Sequence, residues 1–325
     1  MSTEPNVPIN EADRGREATR PTEIPAKGWR DVLVRVKRES EQDNLSMIAA
    51  GVAFYCFLAL FPAMAAFLSI YGLLMDPDGV QQQLSAVSGV LPRGVFDLLN
   101  AQLTTLVSRA NTTLSLAIVI SVLLALWSAA KGVKALMRAV NIAYDEGRPY
   151  GFLKLNALAL LFTVAAMVLG VVAIALVALL PAVLGHLGLG ALTRWTVALL
   201  RWPFLAALLM LGLAVIYRYA PNRRHPKWRW TSPGAVMATI IWLIASLLFS
   251  LYSSRFGHYD QTYGAFGAVV LLLLWLYVSC YIVLLGAQLN AELEHQTRRD
   301  STVGDEKPLG QRGAQMADTV GERPR

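Results

Sequence analysis

Charged residues are scarce in this sequence: Asp, Glu, Lys and Arg make up 16% of its 325 residues, while apolar residues make up 55%. Soluble globular domains average about 25% charged residues. The scarcity is concentrated in six runs without Asp, Glu, Lys, Arg or His, at residues 44–75, 110–130, 155–185, 202–217, 230–254 and 261–291. Because roughly 20 apolar residues in a helix cross a bilayer core, these runs predict six transmembrane helices.

Clustered metal ligands and catalytic motifs are also missing. The sequence has two cysteines and four histidines, and no two histidines are closely spaced. That pattern excludes the usual metal sites of nucleases and hydrolases. There is no Gly-rich loop ending in Gly-Lys-Ser/Thr and no Gly-x-Ser-x-Gly motif. The sequence therefore predicts a protein that is not an enzyme and that has no metal or cofactor.

The basic residues that are present fall in alternate gaps between the runs. Counted close to the spans, at residues 30–38, 131–154, 218–229 and 298–299, the gaps before the first run and after the second, fourth and sixth runs hold about 16 Lys and Arg residues. The other gaps hold about 5. Lys and Arg near membrane ends are retained in the cytoplasm. Both termini are therefore predicted to be cytoplasmic.

These signals divide the chain into a membrane domain at residues 28–295 and two tails. Residues 1–27 and 296–325 are polar, charged and poor in apolar side chains, which predicts disordered cytoplasmic tails. The predicted spans are about 45–74, 111–130, 155–181, 197–217, 233–253 and 262–290. The fold class is thus all-α, a polytopic membrane protein with six transmembrane helices and short amphipathic interfacial helices.

Three connecting segments show apolar residues at helical spacing, which is typical of amphipathic helices at a membrane interface. The first places Arg30, Asp31, Arg35 and Lys37 opposite the stripe Trp29, Val32, Leu33 and Val36. The second lies on the outer side within residues 80–109. The third continues from the second span with the stripe Val133, Leu136, Met137, Val140 and Tyr144, and is expected to end at Gly147 and Pro149.

Several motifs resemble those of a known family. They are Asp43-Asn44 leading to Ala53, Phe54, Tyr55, Leu60 and Pro62; Pro221-Asn222-Arg223-Arg224 before Gly234; and Tyr263-Gly264 through Leu274-Trp275-Leu276-Tyr277 to Leu284-Leu285-Gly286-Ala287. Over residues 29–295 the chain resembles the YihY / virulence-factor BrkB family of bacterial inner-membrane proteins, some once labelled ribonuclease BN. The resemblance implies a six-helix protein of the bacterial inner membrane with both ends inside.

The end of the sixth span departs from the family pattern, which often reads Gly-Ala-Glu where this chain has Gln288. Gln288, Glu292 and His295 follow one another by four and three positions, so they share one helix face. Two interpretations are open for this face. It is either a solvated helix end that pairs with Lys131 or Lys134, or a contact for a substrate or ion.

The remaining candidates for functional residues lie in two polar segments between spans, residues 218–230 and 255–263, and at Pro62. The basic and aromatic residues at 218–230 favour anionic membrane lipids over nucleic acid, because they lie beside two spans. The outer turn at 255–263 is either a gate closed by an Arg255–Asp260 pair or an ordinary interfacial turn with an aromatic belt. Pro62 interrupts the first span and is either a hinge or a fixed packing feature.

The spans offer almost no buried charge, so an aqueous ion pathway is poorly provided for, whereas an amphiphile could slide its tails along lipid. We therefore expect a protein that moves or accommodates a lipid or other amphiphilic envelope molecule. The alternative is a non-transporting scaffold or envelope-integrity factor that acts through envelope protein partners. The candidate headgroup or substrate residues are Arg201, Arg223, Arg224, Arg255, Asp260, Tyr263, Gln288 and Glu292.

Overall fold

The structure is a computed structural model that describes residues 13–74, 116–148, 150–179, 191–255 and 265–324. The described part is built from helices, with one isolated antiparallel bridge between Pro226 and Thr302. A 3-10 turn at Pro21–Glu23 precedes the first helix. The helices are α1 (Ala26–Gln42), α2 (Leu45–Leu74), α3 (Leu116–Ala143), α4 (Phe152–Ile174, continued by a π-helical turn at Ala175–Leu179), α5 (Ala191–Tyr219), α6 (Trp228–Arg255), α7 (Ala265–Gln296) and α8 (Gln315–Asp318).

Five described helices are long and apolar enough to cross a membrane: Leu45–Ala63, Phe152–Val177, Leu199–Tyr219, Trp228–Ser253 and Val269–Gln296. They correspond to five of the predicted spans. The remaining span, predicted at 111–130, begins outside the described residues and continues as the uncharged first half of α3. A spanning segment must satisfy its backbone hydrogen bonds internally, which is why these apolar runs form unbroken helices. The prediction of an all-α polytopic membrane protein is confirmed.

α2 remains helical through Pro62, as α5 does through Pro203 and α6 through Pro233. A hinge at Pro62 stays a prediction. The predicted outer amphipathic segment within residues 80–109 lies outside the described residues.

α7 lies at the centre of the bundle and packs against α1, α2, α3 and α6, while α3 also contacts α4 and α5 contacts α6. The buried core is concentrated where α2, α4 and α6 begin and α3, α5 and α7 end. We call this the capped end. Two turns there use left-handed backbone: Asn44 joins α1 to α2 and Asp145 follows α3, both with φ of 51°. Asn and Asp tolerate this conformation better than other non-glycine residues.

The amphipathic patterns of α1 and α3 are partly confirmed. The α3 stripe is buried at Met137, Val140 and Tyr144, although the helix ends at Ala143, before the expected stop. In α1, Val32 and Val36 are buried as predicted, but Leu33 is 53% exposed. Asp31 and Arg35, predicted on the solvent face, are buried. Their burial follows from coverage by other segments, which a helical repeat does not reveal.

The expected disorder of the tails is wrong for residues 13–27 and 296–324, which pack on the capped end. Arg16, Ala18 and Ile24 are buried, and so are Thr297, Thr302, Arg312 and Met316. Polar contacts take the place of the missing apolar area. Arg312 alone donates to the carbonyl oxygens of four residues, namely Arg298, Arg299, Lys307 and Ala317.

Candidate functional site

The capped end is organised around the last turns of α7, where polar and apolar side chains alternate. The polar side chains are almost completely removed from solvent: Gln288, Asn290, Glu292, Glu294 and Gln296. Burying a charge or an amide is costly unless it is hydrogen-bonded or paired. The partners of these side chains therefore define the site.

Glu292 pairs with Arg35 of α1. Arg35 Nε lies 2.5 Å from Glu292 Oε2, and both side chains are 1% exposed. The same guanidinium donates to the Glu292 carbonyl oxygen at 3.2 Å and to Gln296 Oε1 at 2.8 Å. His295 Nδ1 lies 3.6 Å from Glu292 Oε2. The interpretation of a solvated helix end pairing with Lys131 or Lys134 is therefore wrong, because α1 and the terminal segments cover this face.

Glu294 pairs with Arg223 on the other side of α7. Arg223 Nη2 lies 2.5 Å from Glu294 Oε1, Nη1 lies 3.3 Å from Oε2, and the two side chains are fully buried. Ser301 donates its hydroxyl hydrogen to Glu294 Oε2 at 2.6 Å. The Arg223 guanidinium lies 4.3 Å from the centre of the Tyr144 ring, and burial raises the pKa of the Tyr144 hydroxyl. Arg223, a candidate lipid contact, faces protein in this structure.

Asn290 fixes the start of α6 against α7. Its Nδ2 donates to the Thr231 carbonyl oxygen at 3.0 Å, and its Oδ1 accepts the Gly234 amide hydrogen at 2.8 Å. The two backbones nearly touch at this point. A Cβ atom on Gly234 would lie 2.1 Å from the Gly286 carbonyl oxygen, and one on Gly286 would lie 2.4 Å from the Tyr217 hydroxyl. Gly234 and Gly286 therefore allow α6 and α7 to pack in close contact.

The C-terminal segment, residues 297–324, covers the basic loop between α5 and α6. Lys227 donates its amide hydrogen to the Ser301 carbonyl oxygen at 2.8 Å, and Val303 donates to the His225 carbonyl oxygen at 3.0 Å. Arg224 donates through its backbone to Gly313 and through its side chain to the Asp305 carbonyl oxygen. Arg224, also a candidate headgroup contact, is engaged with protein.

The same segment is held at α8 by the turn after α3. Glu146 is buried, its Oε1 accepts the Gln315 amide hydrogen at 2.8 Å, and burial raises the pKa of the Glu146 carboxyl. Asn141 connects this turn to the α5–α6 loop: its Oδ1 accepts the Asn222 amide hydrogen at 2.8 Å and its Nδ2 donates to the Glu146 carbonyl oxygen at 2.6 Å. The capped end is therefore one continuous hydrogen-bonded assembly.

Of the other candidates, Gln288 lies within the capped end, and the rest lie apart from it or outside the described residues. Arg201 is half-buried in α5, donates to the Val177 carbonyl oxygen at 3.4 Å and lies 5.3 Å from the Trp202 ring centre. Arg255 is the last residue of α6. Asp260 and Tyr263 lie outside the described residues. Gln288 is buried, and its Oε1 has no hydrogen-bond partner among the described residues.

A row of aromatic rings runs between α6 and α7 away from the capped end. We call it the aromatic row, and its members are Trp242, Phe249, Tyr252 and Trp275. Trp275 lies between Trp242 and Phe249, with ring centres 5.4 and 5.1 Å away, and Phe249 lies 6.3 Å from Tyr252. Trp242 Nε1 donates to Ser279 Oγ at 3.1 Å. Trp242, Phe249 and Trp275 are half-buried, and Tyr252 is exposed.

Sequence reasoning missed Arg35, Tyr144, Asn290 and Glu294 as members of the buried network. One signal was present in the alternation of residues 288–296, because polar side chains four apart at 290 and 294 mark a second helix face beside 288 and 292.

Among the residues that the structure describes, no group of three or more His, Cys, Asp or Glu side chains could hold a metal ion. The carboxylates of the capped end face arginines and hydrogen-bond donors instead. The site is chemically a set of buried ion pairs and hydrogen bonds that holds α1, the α5–α6 loop, α6, α7 and the C-terminal segment together.

The helical fold and its long apolar spans define an all-α, multi-pass membrane protein. Residues 36–309 match the family described as Virulence factor BrkB, and the chain belongs to that family. It is 32% identical over 270 residues to the putative ribonuclease-like protein YfkH of Bacillus subtilis (strain 168), covering 80% of this chain and 92% of that protein. No solved structure matches the chain.

Relatives named only as membrane proteins are also similar. A UPF0761 membrane protein of Alteromonas mediterranea is 28% identical over 273 residues, which cover 81% of this chain and 88% of that protein. A UPF0761 membrane protein of Idiomarina loihiensis is 40% identical over 80 residues, covering 25% of this chain and 28% of that protein. These names describe membrane proteins without stating an activity.

Proposed function

We propose that this chain is a bacterial inner-membrane protein that accommodates or moves a lipid or other amphiphilic envelope molecule along its lipid-facing surface. Both termini lie in the cytoplasm, and no catalytic activity or cofactor is involved. The basic residues of the loops at the capped end support this orientation, because Lys and Arg mark the cytoplasmic side. The capped end is then the cytoplasmic end.

The observation that carries the proposal is the closure of the capped end around α7. Glu292 and Glu294 are enclosed with Arg35 and Arg223, and the C-terminal segment lies over the α5–α6 loop. A soluble solute that followed α7 would have to separate buried ion pairs, and losing one partner of such a pair costs about 3–5 kcal/mol. An amphiphile can instead approach laterally from the bilayer.

The aromatic row supplies a surface for that approach. Its rings are partly exposed, and the row leads along α6 toward Arg255. The Trp242 indole nitrogen donates to the Ser279 hydroxyl beside it. Indole and phenol rings favour the boundary between headgroups and acyl chains. In this proposal Arg201, Arg255, Asp260 and Tyr263 meet the headgroup, whereas Arg223, Arg224 and Glu292 keep the cytoplasmic end closed.

The test is transbilayer movement of fluorescent lipids in vesicles that contain the purified full-length chain. The panel holds anionic and lipid A-like lipids, and the variant Trp275→Ala opens the centre of the aromatic row. Wild type is expected to accelerate movement of at least one lipid, and the variant to reduce it several-fold. Leu247→Ala is the matched control, since Leu247 is 64% exposed on α6 and outside the row. Wild-type vesicles indistinguishable from empty vesicles across the panel would overturn the proposal.

A scaffold that acts through envelope protein partners is a second candidate. It is favoured by the folded cytoplasmic cap, which presents residues 131–146 and the C-terminal segment as an ordered protein surface. Crosslinking from exposed positions such as Arg138 would distinguish the two functions. Capture of one defined partner, together with unchanged lipid movement when this surface is altered, supports the scaffold.

A further inference from the structure

Three apolar spans meet at one corner of the capped end. Phe152–Val177 begins there, Leu199–Tyr219 ends there and Trp228–Ser253 begins there. Their boundary residues include Lys154, Arg218 and Trp228. This corner is therefore at the depth where lipid headgroups meet the protein, on the same side as the buried ion pairs but separate from them.

The Arg218 guanidinium packs against two aromatic rings at this corner. Its guanidinium carbon lies 4.5 Å from the centre of the Trp228 ring and 5.4 Å from that of the Tyr219 ring. The Nε atom is buried and has no hydrogen-bond partner among the described residues. A planar guanidinium fixed in this way is ready for bidentate contact with an anion, because its donors are oriented before the ligand arrives.

Lys154 adds a second positive charge. Its Nζ donates to Asn222 Oδ1 at 2.8 Å, which holds the ammonium beside the α5–α6 loop. Neither Lys154 nor Arg218 forms an ion pair with a carboxylate in the described part of the chain, whereas neighbouring Arg223 is matched by Glu294. The corner therefore holds two cationic side chains without acidic partners.

His225 lies close enough to these cations for their charges to affect its pKa. Its Nδ1 lies 3.0 Å from the Arg218 carbonyl oxygen, and its ring contacts Tyr219 with centres 4.9 Å apart. Burial is the largest cause that lowers the pKa of His225, and the charges of Arg218, Lys154 and Arg223 lower it further, against the hydrogen bond to the Arg218 carbonyl. An anion placed here would meet a site of excess positive charge.

The side chains beside the cations are apolar and exposed. Phe152 and Leu153 are 73% and 81% exposed, and Trp228 is 43% exposed. In a membrane such side chains contact acyl chains, while Lys154 and Arg218 reach headgroup depth. The combination of a cationic pair with an apolar flank fits a phosphate group that carries acyl chains better than a free phosphate ion.

We infer that Lys154, Arg218 and Trp228 form a binding site for the phosphate of an anionic phospholipid in the leaflet at the capped end. The site is distinct from the aromatic row and does not require lipid movement. It rests on the proposed function only in naming that leaflet as cytoplasmic.

The test uses full-length protein in detergent, titrated with short-chain phosphatidylglycerol, short-chain phosphatidylcholine and inorganic phosphate, and read by native mass spectrometry. Phosphatidylglycerol is expected to bind most tightly. The variant Lys154→Gln with Arg218→Gln is expected to lose at least about tenfold in affinity, because hydrogen bonds to charged groups are strong. The variant Lys131→Gln with Arg138→Gln removes two exposed charges of the same end and should change affinity little.

Two results would overturn the inference. Equal losses in the two double variants would show that general charge attracts the lipid, and inorganic phosphate that binds as tightly as phosphatidylglycerol would remove the lipid from the assignment. If the first double variant does not fold, Lys154→Gln alone and Arg218→Lys replace it. Arg218→Lys retains the charge without the planar fork, so a several-fold loss is expected and an unchanged affinity would contradict the site.

Discussion

Arg223 and Glu294 meet in a space closed to solvent, where either charge alone would be strongly disfavoured. Their bidentate contact is completed by the Ser301 hydroxyl and by the Tyr144 ring under the guanidinium. Replacing both members of such a pair by apolar residues can be neutral, while removing one leaves an uncompensated buried charge. Losing one member of the Arg223–Glu294 pair is therefore expected to destabilise the fold more than replacing both members.

Glu294→Ala is predicted to lower the free energy of unfolding by about 3–5 kcal/mol, because Arg223 keeps its charge and loses its partner. The measurement is thermal unfolding of the detergent-solubilised protein followed by tryptophan fluorescence. Adding Arg223→Met to Glu294→Leu should recover much of the loss. Glu41→Gln is the control, since Glu41 belongs to an exposed pair with Lys37 and surface pairs contribute about 0–1 kcal/mol. Equal unfolding temperatures for Glu294→Ala and Glu41→Gln would contradict the prediction.

The burial of Arg35 is an example of what helical periodicity in the sequence does not predict. The spacing of Glu292 with Gln288 predicts a candidate residue, but the helical repeat of α1 predicts its partner Arg35 on the solvent face. Local periodicity reports which residues share a face, and it does not report what covers that face. Arg35 is buried because α7 and residues near Gly321 cover it, and those lie far away in sequence.

At the scale of helices, the crossing of α6 and α7 is set by glycine. Small residues allow helix backbones to approach closely in membranes, where van der Waals packing replaces the hydrophobic effect as the driving force. The apolar runs of the sequence predict both helices. That Gly286 is the opposing residue depends on the register between the helices, which a single sequence does not encode.

Gly234→Ala is predicted to destabilise the protein by about 1–3 kcal/mol, because the added methyl group meets the Gly286 carbonyl oxygen and forces α6 and α7 apart. Gly170→Ala in α4 and Gly51→Ala in α2 are matched controls with open space at the added methyl group. Those two should be neutral or stabilising by about 0.5–1 kcal/mol, since alanine favours helices. Thermal unfolding of the three variants side by side tests the crossing. It is refuted if all three behave alike.

For the whole molecule, the largest difference from expectation is that polar terminal segments are folded. Their composition predicts disorder because they bury little apolar area. Here the ordering comes from hydrogen bonds to groups that other parts of the chain provide, such as the buried Glu294 carboxylate and the α5–α6 loop. The composition of a segment describes that segment alone, whereas its folding also depends on the protein surface on which it packs.

The Asp300 carboxylate accepts hydrogen bonds from Thr302 and Lys307 within the C-terminal segment, and these bonds make the docking of the segment sensitive to acid. Burial acts to raise the pKa of its carboxyl, but hydrogen bonds from the Thr302 hydroxyl and the amides of Lys307 and Thr302 outweigh burial and lower the pKa below its usual range. A group with a lowered pKa in the folded state stabilises that state above its unfolded pKa, about 3.9 for Asp. The stabilisation is lost as the pH falls through the folded pKa, so docking is complete at neutral pH and weakens only in acid.

Asp300→Asn should reproduce that loss at neutral pH, because an amide does not carry the charge that the three donors stabilise. The expected result is faster amide hydrogen exchange over residues 299–314 and at Lys227, whose side chain donates to the Asp300 carbonyl oxygen. Asp305→Asn makes the same chemical change at an exposed position and should leave exchange unaltered. If exchange in the Asp300 variant matches that in the Asp305 variant, the segment does not depend on the Asp300 carboxylate. Faster exchange that extends beyond Lys227 to the rest of the α5–α6 loop would in addition link C-terminal docking to the closure of the capped end.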